Sequence, residues 1–217
     1  MKTLANARIF VVSAPSGCGK TTLCRKLLAG RLGLAGSVSV TTRPPRPGEK
    51  DGADYRFVSD AEFRRMAASG EFLEYESNFG ASYGTPIAPV RQALSAGRSV
   101  LLSIDVKGAM KVRAAFPRAS VLIFILPPSI PALRKRLEKR MSDSGEAIAR
   151  RLALAEKEMA CREKYDHRVI NDDLDTAYHA LRKIIQTELG RREAARRRPR
   201  RPNGGCHAGS RRRSADQ

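Results

Sequence analysis

No stretch of this 217-residue chain is apolar for long enough to cross a membrane. The longest such run, Val121-Leu122-Ile123-Phe124-Ile125-Leu126, falls far short of the roughly 20 residues that a spanning helix requires. The opening residues, Met1-Lys2-Thr3-Leu4-Ala5-Asn6-Ala7-Arg8, contain no apolar segment of signal-peptide length, so a soluble protein is expected. Cysteine is sparse and scattered. Cys18, Cys24, Cys161 and Cys206 form no C-x-x-C pair and stand at no ligand-like spacing from His167, His179 or His207. Four reduced thiols in the cytoplasm are the natural reading. Acids are also few, 22 against 41 lysines and arginines, for a formal net charge of +19. That balance suits phosphorylated ligands, and by itself it suits nucleic acid equally well. No internal repeat is present, and the length fits one domain with inserted subdomains.

What is present is organised around residues 9 to 22. Ile9-Phe10-Val11-Val12-Ser13 is an apolar, β-rich run; Ala14-Pro15-Ser16-Gly17-Cys18-Gly19 is a glycine loop; Lys20-Thr21-Thr22 opens a helical sequence expected to run to Leu28. Glycines in such a loop let successive N–H groups converge on an anion, and the helix adds its positive dipole end at the same point. Lys20 has the reach for β- and γ-phosphates, and the Thr21 hydroxyl stands where a Mg2+ ligand is needed. The general phosphate-loop pattern begins with glycine, and here that position is Ala14. The strand before it and the Gly-Lys-Thr ending carry the assignment nonetheless.

Farther along, Gly36 to Thr42 alternates like a strand and runs into Arg43-Pro44-Pro45-Arg46-Pro47-Gly48, a stiffened loop that holds two arginines apart. Such a pair suits a phosphate monoester, although an isolated Arg-x-x-Arg is more often a solvated turn. Asp54 to Val58 reads as a short strand, and Ser59 with Glu62 as a capping box that starts a helix ending at Gly70. Glu71 to Glu76 reads as a strand, Asn78 to Gly84 as a turn, and Pro86 to Leu94 as a helix. The run Ser99 to Asp105 is a buried strand with an acid at its carboxyl end, where an enzyme with a phosphate loop keeps the carboxylate that orders Mg2+ or its waters. Helices are expected over 107–116, 130–140, 144–165 and 174–189, and strands over 119–126 and 167–170. Strands alternating with helices imply an α/β fold with a parallel sheet. From Arg191 onward there is no apolar periodicity and ten arginines face only Glu193 and Asp216, so a disordered basic tail is expected over 190–217.

Taken together, Ala-Pro-Ser-Gly-Cys-Gly-Lys-Thr-Thr at 14–22, Ser39-Val40-Thr41-Thr42-Arg43-Pro44-Pro45-Arg46-Pro47-Gly48-Glu49, Phe72-Leu73-Glu74, Tyr83-Gly84-Thr85, Ile104-Asp105-Val106-Lys107-Gly108 and Val169-Ile170-Asn171-Asp172-Asp173 resemble guanylate kinase from about Arg8 to Glu188. The resemblance implies a P-loop NTPase fold over 1–189, with a GMP-binding subdomain at about 37–92 and a helical lid at about 136–155. It implies ATP and GMP as substrates and Mg2+ as cofactor. Residues 14–22 would hold ATP. Arg43, Arg46, Tyr55 and Tyr83 match the clamp on the GMP phosphate, Glu74 the carboxylate that reads guanine, Ser39 and Thr85 hydroxyls that support the base, and Asp105 the acid of the strand end. Guanine offers adjacent N1–H and N2–H donors to a carboxylate, whereas adenine turns an acceptor toward it and leaves a buried charge unpaired. The lid arginines, for which Arg140 and Arg151 are the choice near Arg136, would join Lys20 and Arg43 in catalysis.

Two positions depart from the family's pattern. Asp-x-Asp is usual at the end of the central strand, and here Ser103 replaces the first acid, leaving Thr21 for the metal with Asp105 acting through water. The lid arginine usually lies between glycines and here lies in Lys139-Arg140-Met141, which is expected to stiffen closure. The alternative reading is a guanylate-kinase-like binding module of weak activity, against which stand the retained Gly-Lys-Thr ending and lid arginines. A sugar-phosphate kinase is disfavoured by Glu74, Ser39 and Thr85. For the tail, weak non-specific nucleic-acid binding is an accessory reading, without the interleaved aromatics that stack bases.

Overall fold

The computed structural model describes residues 7–78, 80–138 and 145–197. At its centre is β1 (Ile9–Ser13), buried along its whole length. It pairs in parallel with β7 (Val100–Ser103) on one side and β8 (Ser120–Leu126) on the other. The short strand β2 (Ala35–Gly36) and β9 (His167–Ile170) complete a parallel sheet in the order β2-β7-β1-β8-β9. Side chains alternate between faces with period two, and both faces are covered, so both sets are apolar. Phe10, Val12, Leu101 and Ile123 pack toward α1 (Lys20–Ala29), α5 (Ile130–Glu138), α6 (Gly145–Ala160) and α7 (Leu174–Arg197). Ile9, Val11, Leu102 and Phe124 pack toward α3 (Ile87–Ser95) and α4 (Val106–Ala115).

A second sheet holds β4 (Arg56–Phe57), β3 (Val40–Thr41), β6 (Ala81–Pro86) and β5 (Phe72–Asn78) in that order. The expected strand over 36–42 is therefore two strands in two sheets: Ala35–Gly36 closes the edge of the first, and Val40–Thr41 pairs with Arg56–Phe57 and Tyr83–Gly84 in the second. Alternation reports extended backbone and cannot report that the chain changes partners at residues 37–39. The expectation of a parallel sheet holds for the first sheet alone, because β3·β6 and β5·β6 are antiparallel. The expected turn at 78–84 shrinks likewise: Ala81 already belongs to β6, and Gly80, at φ 76°, lies in the hairpin. Under this sheet α2 (Asp60–Ala68) begins as its capping box requires, the Glu62 N–H donating to Ser59 Oγ at 3.2 Å. Its Phe63 and Met66 close a small core with Val40 and Phe72. Pro86 precedes α3 as its N-cap instead of forming its first turn. The segment expected as one helix over 144–165 ends in a 3-10 turn at Cys161–Lys164. The closing helix runs to Arg197, into the segment expected to lack structure. Among the described residues no helix is long and apolar enough to cross a membrane.

Candidate functional site

Between the two sheets lies a cleft of about 270 Å³, floored by residues 14–22 at the carboxyl end of β1. Gly17 and Gly19 adopt φ of +92° and +78°, the left-handed region that disfavours a side chain. Gly19 is the N-cap of α1 and offers no side chain to its first-turn N–H groups, which leaves them for an anion. The loop is held from behind by Asn171, buried just after β9, whose Nδ2 donates to the Cys18 carbonyl at 2.8 Å. Arg136 in turn donates to the Asn171 and Asp172 carbonyls at 2.8 and 3.1 Å.

Lys20 Nζ donates to the Ile104 carbonyl at 2.8 Å. Burial lowers its pKa, while the charges of Asp105, Glu158 and Glu74 favour the ammonium form. Asp105 caps α4: its Oδ1 accepts the Gly108 N–H at 2.8 Å, and its Oδ2 accepts from Asn78 Nδ2 at 2.6 Å. Ser103, in place of the first acid of the family's Asp-x-Asp, lines the cleft and hydrogen-bonds the Cys24 thiol, which burial pushes up to about 11.

Across the cleft the second sheet presents Glu74, 7% exposed and directly opposite Thr85 in the β5–β6 register. Thr85 Oγ1 donates to Glu74 Oε1 at 2.5 Å. Burial raises the Glu74 pKa and Asp105 raises it further, against the Thr85 hydrogen bond. Tyr55 and Tyr83 stand edge to face with centroids 6.2 Å apart, and both line the cleft with Ser39 and Arg46. Arg43 is set differently: Nη2 binds both Glu49 oxygens at 2.8 and 2.9 Å, and the guanidinium lies 5.6 Å from the Tyr55 ring, beside the lining residues. From α6, Arg151, Leu154 and Glu158 close the third side. Burial raises the Glu158 pKa to about 7, with Lys20 opposing. Arg140 and the Lys139-Arg140-Met141 lid sequence lie outside the described residues.

The guanylate kinase family model matches residues 6–188. The chain belongs to the guanylate kinase family. It is 51% identical over 176 residues to the guanylate kinase of Gluconobacter oxydans, covering 81% of this chain and 85% of that one. With the guanylate kinase of Gloeobacter violaceus it shares 48% identity over 183 residues, covering 84% and 89%. The crystal structure of guanylate kinase from Anaplasma phagocytophilum superposes with a TM-score of 0.72 at 34% identity, covering 86% of this chain and 89% of that one.

Of the residues expected from the sequence, the fold gathers 14–22, Ser39, Arg46, Tyr55, Glu74, Tyr83, Asp105 and Arg151 around one cleft, with Thr85 behind Glu74 and Arg43 held at the side by Glu49. Asn78, Glu76 and Glu158 also line it and were missed from the sequence. Asn171 belongs to the segment Val169-Ile170-Asn171-Asp172-Asp173, but its bond to Cys18, 153 residues away, has no signature in spacing.

Proposed function

We propose that this chain transfers the γ-phosphoryl group of ATP to GMP, giving ADP and GDP. The observation that carries the reading is a buried carboxylate, Glu74, held by Thr85 across one cleft from a phosphate loop with its lysine. A triphosphate would take residues 14–22, and a second nucleotide would place its base against Glu74. In this reading Glu74 accepts from guanine N1–H and N2–H, and Ser39, Thr85 and Asp105 complete the base site. Arg43, Arg46, Tyr55 and Tyr83 bind the GMP phosphate; Arg43 must exchange part of its pairing with Glu49 to do so.

An oxygen of the GMP phosphate forms the new bond to the γ-phosphorus as the bond from that phosphorus to the β–γ bridging oxygen breaks, and ADP leaves. The attacking group is already an anion, so positioning and charge neutralisation dominate over general-base chemistry. Lys20 leaves the Ile104 carbonyl for the β- and γ-phosphates. Arg151, with Arg140, closes from the lid side, and exclusion of water limits hydrolysis of ATP.

The donor set suits Mg2+: the hydroxyl of Thr21 and the carboxylate of Asp105 line the same cleft as hard oxygen donors. Among the described residues no three His, Cys, Asp or Glu side chains gather as a metal cluster, which fits an ion held chiefly by substrate phosphates. When bound, Mg2+ supplies neutralisation of charge on the β- and γ-oxygens. Asp105, committed to Gly108 and Asn78, would act on it through water.

Incubation with γ-labelled ATP, Mg2+ and GMP tests the reaction directly. Label is expected in GDP, with none transferred when magnesium is chelated. Label released only as free phosphate contradicts the transferase reading.

A further inference from the structure

Gly108 occupies the first turn of α4 in ordinary helical backbone, with no positive φ to require glycine. A glycine inside a helix costs about 1 kcal/mol relative to alanine. Something other than chain conformation must favour it. A Cβ built at this position lies 2.4 Å from Glu74 Oε2 and 2.9 Å from Glu74 Cδ, well inside van der Waals contact. The same residue's N–H holds Asp105 Oδ1 at 2.8 Å.

We propose that Gly108 is a specificity-determining residue: the space left by its missing side chain seats the Glu74 carboxylate, and its amide fixes Asp105 beside it, so that two acids from different sheets face one guanine. The proposal rests on the reading of Glu74 as the group that recognises the base. Glu74 is gripped between two elements, Thr85 holding Oε1 from β6 and α4 bounding Oε2. A methyl at 108 forces the carboxylate to turn off Thr85 or drives α4 away from β5. Either motion takes one oxygen from its place, and a carboxylate reads adjacent N1–H and N2–H donors only when both oxygens are aligned. The amide of residue 108 survives the substitution, and the Cβ stands 3.3 Å from Asp105 Oδ1, so the cap is retained with a shift of a few tenths of an ångström while the phosphate loop is untouched.

Gly108→Ala tests this: helix propensity favours the variant by about 1 kcal/mol and displacing the carboxylate from Thr85 costs about as much or somewhat more, so its melting temperature is expected to stay near the parent's. The Michaelis constant for GMP should rise about tenfold or more, the loss of one buried hydrogen bond to a charge. That for ATP should stay within about twofold on the same principle. Adding Glu74→Asp withdraws the carboxylate by one methylene, so the double variant should bind GMP better than the two single effects multiplied together predict. An unchanged GMP constant in Gly108→Ala, while Glu74→Ala raises it, overturns the proposal and leaves the reading of Glu74 intact. An unchanged constant in Glu74→Ala overturns both. A lowered melting temperature with ATP and GMP constants rising together, and no coupling in the double variant, assigns Gly108 to packing and also overturns it.

Discussion

Glu158 is a carboxylate with few partners to favour its charge. It lines the cleft from α6, and burial lifts its pKa from 4.5 to about 7 against the pull of Lys20. A folded value above the unfolded one means that folding favours the protonated form. The associated stability is present in full below about 4.5 and is lost as pH rises toward 7. Glu158→Gln removes that loss. The variant is expected to melt higher than the parent at pH 8, by an amount worth at most roughly 3 kcal/mol, and the gap should close as pH falls toward 4.5. Thermal melts of both proteins across that range check it, and equal melting temperatures at pH 8 contradict it. Glu158 was not legible in the sequence, because Glu156, Lys157 and Glu158 follow one another on a charged helix and only tertiary packing turns one of them into the cleft. The placement of Lys20 and Glu74 in the cleft was legible, the first from the phosphate-loop motif and the second from the family resemblance.

At the level of elements, the phosphate loop depends on the turn after β9. Asn171 donates its amide to the Cys18 carbonyl, and a side chain at Gly19 would lie 2.6 Å from that same Nδ2, so glycine at 19 makes room for the asparagine. Asn171→Ala leaves the Cys18 carbonyl without this partner in a dry setting, a cost of about 1–3 kcal/mol. Denaturant unfolding should register that loss, and the Michaelis constant for ATP should rise more than that for GMP. Equal stability, or a loss confined to GMP, contradicts this arrangement. In the first sheet β1, β7 and β8 could be read from hydrophobic pattern because they are buried on both faces, whereas the two-residue edge strand β2 could not. Of the second, β4 and β5 were legible within 54–58 and 71–76, but β3 is two residues long and a turn-rich segment of small residues conceals β6, whose pairing with β5 is decided by tertiary contacts.

For the whole molecule, the parallel sheet supplies the phosphate loop and Asp105 at its carboxyl ends, and the mixed sheet faces them with Glu74, Tyr55 and Tyr83. The hydrogen bond from Asn78 to Asp105 joins the two sheets' sides within the cleft. The chain's net charge of +19 suits the two polyanionic substrates of the proposed reaction. The central claim is that Glu74 makes this cleft select guanine. Its most direct test is the ratio of kcat/KM for GMP to that for AMP, measured at saturating Mg-ATP for the parent and for Glu74→Ala. The expected parent ratio is on the order of 10⁴, collapsing by at least about a hundredfold in the variant through loss of the GMP term. A ratio that is unchanged by the substitution would mean that guanine is read elsewhere and that Glu74 serves only the packing of the second sheet.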